Sequence, residues 1–255
     1  MDLGIKGKRA IVCASSKGLG RGCALALAEA GVDLVVNGRD AATLARTAGD
    51  LSARFGVKVT PVAADVSTAE GQDALLAACP DPDILVNNNG GPPRRDFGEL
   101  NRQALLDGVT QNMVAPIEMI QRVIAGMAER GFGRIVNITS LSVYMPIAGL
   151  DLSSGARAGL TAFLAGVART HAGNGVTINH MLPGKFDTDR LRSAFMGPGK
   201  DPEASAAALK RDIPAGRFGT AEEFGAVCAF LCSAHAGYIT GQNIVLDGGL
   251  YPSAF

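Results

Sequence analysis

The sequence predicts an α/β fold: a doubly wound parallel sheet in a single domain, residues 1–255. Three observations carry this. Short apolar runs alternate with longer helical stretches along the chain. The runs are continuously apolar rather than alternating, as strands buried on both faces must be. No linker, low-complexity block or short-period repeat interrupts the order, and 255 residues can bury a sizeable core without staples. Strand–helix–strand repetition then implies right-handed crossovers, with ligands at the carboxyl ends of the strands.

In order, residues 9–14 read as a first buried strand and 18–30 as a helix rich in alanine and leucine. Residues 32–37 form a second strand, and 40–55 a helix opened by Asp40 as N-cap. A third strand covers 57–64, followed by a helix over 68–78 capped by Ser67. The fourth strand is 84–87, and 101–130 is a long helical region. The fifth strand covers 134–139, a long helix 153–172, and the sixth strand 176–181. Residues 187–213 are polar and helical and contain Gly197-Pro198-Gly199, so they read as a substrate flap. A helix over 221–233 and a short strand over 243–246 complete the order.

Composition excludes several classes. The 24 basic and 24 acidic residues cancel, and no basic stripe is present, which argues against nucleic acid and anionic membrane as partners. Hydrophobic residues at 47% and charged residues at 19% exclude a disordered chain. No apolar run reaches the roughly 18 residues of a membrane span. The N-terminus is charged and lacks a secretory pattern, so the cytoplasm is the expected compartment. Cys13, Cys23, Cys79, Cys228 and Cys232 are odd in number and fit no zinc spacing, so they read as packing residues. His171, His180 and His235 are far apart, and His180 inside a strand reads as a core histidine. No catalytic metal is expected.

The first strand runs into Ala14-Ser15-Ser16-Lys17-Gly18-Leu19-Gly20. Glycines there let backbone approach a pyrophosphate, and the following helix offers free N–H groups and a positive dipole end. A glycine pair alone is weak evidence; its position after a strand and opening a helix is the context that a dinucleotide loop needs. The second strand ends at Asn37-Gly38-Arg39, about 20 residues on, where an acid grips a ribose diol or an arginine accepts a 2′-phosphate. There is no acid at 37 or 38. Arg39, with Lys17 as a second cation, favours NADP(H) over NAD(H). The plainer reading makes Arg39 a solvated loop residue and the cofactor choice loose.

With these residues in view the chain resembles the short-chain dehydrogenase/reductase family over nearly its whole length. The loop is similar to Thr-Gly-x-x-x-Gly-x-Gly, with Cys13 and Ala14 in place of the threonine and first glycine. Asp65-Val66 resembles the adenine-holding pair. Asn87-Asn88-Asn89-Gly90 resembles Asn-Asn-Ala-Gly after the fourth strand. Asn112 falls where the active-site helix asparagine is expected, and Ser140 in Asn137-Ile138-Thr139-Ser140 where the serine is. Pro183-Gly184 with Thr188 is similar to the segment around the nicotinamide. Ile239-Thr240-Gly241-Gln242 and Asp247-Gly248-Gly249 resemble the C-terminal signature. The resemblance implies a Rossmann-type oxidoreductase acting on a carbonyl or secondary alcohol. It implies cofactor contacts from Ala14, Ser16, Lys17, Gly18, Leu19, Gly20, Arg39, Asp65, Val66, Asn88, Gly90, Arg157, Pro183, Gly184, Phe186 and Thr188. It also implies a homo-oligomer, tetramer or dimer, with the apolar residues 250–255 suited to an interface.

The departure lies at the chemistry. The family expects Tyr-x-x-x-Lys thirteen residues after the serine; here those positions hold Ser153 and Arg157. In the family the tyrosine gives a proton to the carbonyl oxygen and the lysine lowers its pKa and holds the nicotinamide ribose. A tyrosine near pKa ≈ 10 is brought into range by one cation, whereas a serine hydroxyl starts far higher. Arg157 keeps the charge but never surrenders a proton. Three accounts stand open. Tyr144, four residues past Ser140, supplies the proton, with Lys185 as a nearby cation. Alternatively Ser140 and Ser153 polarise the carbonyl while water, supported by Asn112, relays the proton. Or the chain is a catalytically weak or silent dinucleotide-binding, regulatory protein on the same fold. The bland readings are a rim packing role for Tyr144 and a helix cap for Ser153. Arg94 and Arg95, beyond Gly90-Gly91-Pro92-Pro93, read either as a solvated pair or as an attractor of anionic substrate.

Overall fold

The computed structural model describes residues 1–193 and 201–253. Among them seven strands form one sheet: β1 (Arg9–Val12), β2 (Asp33–Gly38), β3 (Val59–Ala63), β4 (Ile84–Asn87), β5 (Gly133–Ile138), β6 (Val176–Pro183) and β7 (Asn243–Leu246). The order is β3-β2-β1-β4-β5-β6-β7 and every neighbouring pair is parallel. The chain winds outward from β1 in one direction, then from β4 in the other. The crevice at that reversal is where such sheets take their ligands.

Both faces are covered, and the strand sequences show why. Along β1, Ala10 and Val12 enter one core while Ile11 enters the other. An α/β strand needs apolar side chains at both parities. The first core receives α1 (Gly18–Glu29), α2 (Ala41–Phe55) and α9 (Ala221–Leu231). The second receives α3 (Ala69–Ala78), α5 (Ala115–Glu129) and α6 (Asp151–His171). Helix α4 (Arg102–Val109) packs on α6. After β6 come α7 (Asp189–Ser193) and α8 (Pro202–Arg211), whose Leu191 and Leu209 pack on a small separate cluster of Ile213 and Phe218.

Helices α1 and α9 touch backbone to backbone. A Cβ on Gly22 would stand 2.1 Å from the Ala221 carbonyl oxygen, and one on Gly225 would stand 2.1 Å from that of Gly22. No side chain fits between them, which ties the helix of the glycine loop to the C-terminal third of the chain.

The structure refines several boundaries. β3 begins at Val59, where pairing to β2 begins, rather than at 57. The cap of α3 is Thr68, whose hydroxyl accepts from the Gly71 N–H at 3.1 Å; Ser67 instead accepts from Asn89 Nδ2 at 2.9 Å. The long helical region is broken by a π turn over Thr110–Val114. α6 starts at Asp151, which puts Ser153 inside its first turn rather than at its cap. Asp40 caps α2 as expected, accepting from Thr43 N–H at 2.7 Å. Of the segment read as a flap, Gly197-Pro198-Gly199 lies outside the described residues, as do the last two residues of the apolar ending. All five cysteines are buried, and burial drives the Cys13 thiol up to about 12, an inert state. No helix among the described residues is long and apolar enough to cross a membrane.

Candidate active site

The loop after β1 is held by a buried asparagine whose importance the sequence did not signal. Asn37, at the end of β2, accepts the Ala14 N–H at 3.1 Å through its side-chain oxygen. Its amide donates to Val62 O at 3.1 Å and Ala64 O at 2.9 Å. One side chain therefore aligns the carboxyl ends of β1, β2 and β3, and it occupies the position where an acid was sought. Ser15 closes the same knot, donating to Val12 O at 2.7 Å and accepting from Asn37 N–H at 3.0 Å. Asn88 Nδ2 donates to Ala14 O at 3.2 Å, which brings the end of β4 to the loop. Ala14 sits at φ 44°, in the left-handed region that the family's glycine would occupy freely.

Lys17 is the N-cap of α1 and offers no side-chain cap, so the first N–H groups of the helix are open to an anion. Gly20 is needed for packing: a Cβ there would meet the Ala14 carbonyl oxygen at 2.3 Å. Arg39 lies exposed beyond β2, with its guanidinium over Gly90. Asp65 accepts from Ser67 N–H at 2.9 Å, and that bond, with Arg39 as the weakest contributor, holds its carboxyl below the usual range. Thr188 reaches back toward Gly18 across the crevice. Phe186 is buried edge-on against Phe224, so only its backbone can face a ligand. Leu19 packs on the core, Val66 is buried at the cavity described below, and Ser16 Oγ approaches Gly38. Gly184 follows Pro183 at the end of β6, backed tightly by Asp247. This arrangement suits a dinucleotide: open helix N–H groups, glycines at the crevice, and Lys17 and Arg39 as exposed cations beside them.

The second half of the site is built on α6. Arg157 is 8% exposed; its Nε donates to Ser153 Oγ at 3.2 Å and its Nη1 to Ile138 O at 2.6 Å. Burial, then the charge of Arg190, lowers its pKa to about 10, which leaves it protonated at neutral pH. Ser153 and Arg157 are thus a hydrogen-bonded pair one helical turn apart. Ser140 follows β5, and its Oγ accepts from Ser142 N–H at 3.1 Å. Asn112 is turned inward by the π turn. Its amide donates to Gly108 O at 3.2 Å, while its oxygen is buried without a partner among the described residues. Asn137 accepts from Asn87 Nδ2 at 2.9 Å and leaves its own amide unpartnered. A cavity of about 20 Å³ touches Asn112, Asn137 and Arg157. That volume suits one water, and buried polar groups without partners are where one belongs.

Tyr144 is placed elsewhere. Its hydroxyl accepts from Asn243 Nδ2 at 2.8 Å on β7, and its ring stacks on Tyr251. It borders a larger cavity of about 240 Å³ that also touches Pro146, Asp151 and Ser154. Lys185 is turned away, held by Leu209 O and Asp212, both at 3.2 Å. The structure therefore gathers Asn112, Ser153 and Arg157 around one wall and leaves Tyr144 and Lys185 with other partners. Among the described residues no group of three His, Cys, Asp or Glu could hold a metal ion. Asn89, part of the Asn87-Asn88-Asn89-Gly90 motif, and Arg190, which the sequence reading did not single out, also belong here. Asn89 Nδ2 donates to Ser67 Oγ and Gln111 O, and Arg190 spans to the loop after β4.

A doubly wound sheet with an open helix N-terminus at its reversal, facing a polar wall after β5, defines a dinucleotide-binding oxidoreductase. Comparison with known proteins places it more closely. A family model described as enoyl-(acyl carrier protein) reductase matches residues 13–251. The 3-oxoacyl-[acyl-carrier-protein] reductase FabG of Pseudomonas aeruginosa is 33% identical over 255 residues, covering 98% of this chain and all of that one. Among solved structures, YwfH, an NADPH-dependent reductase involved in bacilysin biosynthesis, superposes with a TM-score of 0.92 at 31% identity over 97% of this chain and 100% of its own. L-sorbose reductase from Gluconobacter frateurii, complexed with NADPH and L-sorbose, gives 0.93 at 28% identity over 99% and 100%. The chain belongs to the short-chain dehydrogenase/reductase family.

Proposed function

We infer that the protein is an NADP(H)-dependent oxidoreductase interconverting a carbonyl and a secondary alcohol, with a serine–arginine pair in place of tyrosine and lysine. The observation that carries this is the buried Ser153–Arg157 hydrogen bond. When bound, NADPH supplies the hydride. Lys17, Gly18 and the open N–H groups of α1 hold its pyrophosphate, and Arg39 takes the 2′-phosphate. Asp65 and Val66 take the adenine. Asn88, Gly90, Pro183, Gly184, Phe186 backbone and Thr188 surround the rest, with Arg157 at the ribose. Two similar structures name NADPH, which supports the Arg39 reading.

Ser140 and Ser153 each already accept one hydrogen bond, from Ser142 N–H and from Arg157. Each hydroxyl proton is then free to point at the substrate oxygen. Arg157 stabilises the negative charge that develops there, in a buried setting where such charge is well felt. It donates hydrogen bonds but no proton. The proton comes by way of a water in the cavity at Asn112 and Asn137. Tyr144 is not given the acid's role, because it borders a different cavity from the one that touches Asn112, Asn137 and Arg157.

Turnover is the test: ketones and 3-oxoacyl thioesters with NADPH. Ser153→Ala should lower kcat about 100- to 1000-fold, the usual loss on removing one donor to a developing oxyanion, with NADPH affinity unchanged. Tyr144→Phe should keep full activity; a large loss there returns the acid's role to Tyr144. A second reading, a dinucleotide-binding regulator, is favoured by the placement of Tyr144 at a separate cavity. It requires tight NADPH binding with no oxidation across the panel. Exposed Leu105, Leu106 and Phe163 on α4 and α6 support a homo-oligomer, to be read by light scattering.

A further inference from the structure

Several of this chain's arginines meet carboxylates, although the buried Arg134 on β5 bonds only to backbone carbonyls. Arg21 meets Asp50, Arg122 meets Asp73, Arg192 meets Asp187 and Arg217 meets Glu223. Those at the reactive wall are treated differently. Arg157 finds only Ser153 Oγ and Ile138 O, and its second amino group has no partner among the described residues. Arg190, on α7, reaches across to Gly91 O at 3.1 Å and Pro92 O at 3.2 Å, two neutral carbonyls. Its guanidinium lies so flat on Gly91 that a Cβ there would come within 2.7 Å of Nη2. Arg94 and Arg95 follow on the same loop. The loop is fixed by a bond from Arg95 N–H to Gly149 O at 3.2 Å, which pins both arginines four residues before Ser153. None of the four makes an ion pair among the described residues. The nearby carboxylate of Asp187 is taken twice by Arg192, at 2.8 and 2.9 Å.

Three elements, α6, α7 and the loop after β4, thus bring arginines near one another, with Arg190 lying directly on the loop that carries Arg94 and Arg95. The charges act on each other. The Arg157 guanidinium is lowered by burial and then by Arg190, and that of Arg190 by burial and then by Arg94. Like charges held together without a counter-ion are unfavourable, and partly desolvated cations ask for an anion. The cofactor's phosphates are served elsewhere, by Lys17, α1 and Arg39. A guanidinium fork matches the two oxygens of a carboxylate.

We propose that the substrate carries a carboxylate near its reacting carbonyl, and that Arg190 and Arg94 grip it above the Arg157 floor. The site selects oxoacids or hydroxyacids over neutral ketones or alcohols. This rests on the oxidoreductase reading for which carbon reacts, but the selection itself is a binding property and is measurable without turnover.

The experiment is calorimetry on protein saturated with NADP⁺, using 3-oxocyclohexane-carboxylate, its methyl ester and inorganic phosphate. The acid should bind at least tenfold more tightly than the ester, with an affinity that falls as salt rises. Arg190→Gln and Arg94→Gln should each erase most of that preference while leaving NADPH affinity unchanged. Arg94 is exposed at the loop, so its variant tests the idea even if Arg190→Gln disturbs α7. Equal binding of acid and ester overturns the proposal. So does a variant that weakens NADPH but not the acid, which assigns these arginines to the cofactor, and so does tighter binding of phosphate than of the acid. Selective acid binding with no turnover leaves the proposal standing and removes the redox reading. Turnover of neutral ketones without acid preference does the reverse.

Discussion

The two halves of the crevice are built from different material. On the side of β1 and β2 the site is mostly backbone: open N–H groups on α1, an unusual φ at Ala14, glycines at close approaches, and Asn37 bracing three strand ends. On the side of β5 and α6 it is side chains: Ser140, Ser153, Arg157 and Asn112. Backbone geometry tolerates sequence change as long as the turn survives. Side-chain chemistry does not, and on that wall Ser153 and Arg157 stand where the family resemblance implies a tyrosine and a lysine. Binding and reaction can therefore diverge within one fold.

Substitutions on each side should separate these functions. The largest effect is expected from Ser140→Ala. It should lower kcat about 100- to 1000-fold, as loss of one donor at a developing oxyanion does, while NADPH affinity, read by fluorescence titration, moves less than twofold. A parallel loss of affinity would erase the distinction between the halves. Next is acid stability. Burial lowers the pKa of His180 to about 4 from 6.5. The unfolded chain then takes up the proton first. Stability is full above pH 6.5 and is lost as pH falls toward 4, by up to about 3 kcal/mol. His180→Gln should flatten that limb of a urea-denaturation series against pH. Arg39→Ala acts on the backbone side alone. It should weaken NADPH about tenfold, leave NADH unchanged by the same titration, and leave kcat at saturating cofactor intact. The smallest effect is Ala14→Gly, which relieves a left-handed alanine. It should add about 1 kcal/mol of stability, or about 2 °C in Tm by calorimetry.

Much of this was legible in the sequence. Continuous apolar runs placed every strand within a few residues, because most strand side chains enter one core or the other. Ser153 and Arg157 were singled out by counting from Ser140 on the family resemblance, and their spacing of four on one helix is what lets them hydrogen-bond. Tertiary partners were not legible. Nothing local says that Tyr144 turns to Asn243, 99 residues on, or that Lys185 turns to Asp212. Thr68 displaced Ser67 as the cap of α3 because Ser67 is needed by Asn89. The π turn at Asn112 was hidden because one extra residue in a helical turn leaves the apolar pattern almost unchanged. Arg190 lay in a stretch with no periodicity to give it a direction.

The Gly22–Gly225 contact has a mechanical meaning. Soft side chains between two helices act as a cushion and let one tilt without the other. Here carbonyl oxygen meets bare α-carbon, and the cushion is missing. Helices α1 and α9 are therefore coupled as one stiff lever. The strand that follows α9 carries Asn243, and with it the seat of Tyr144.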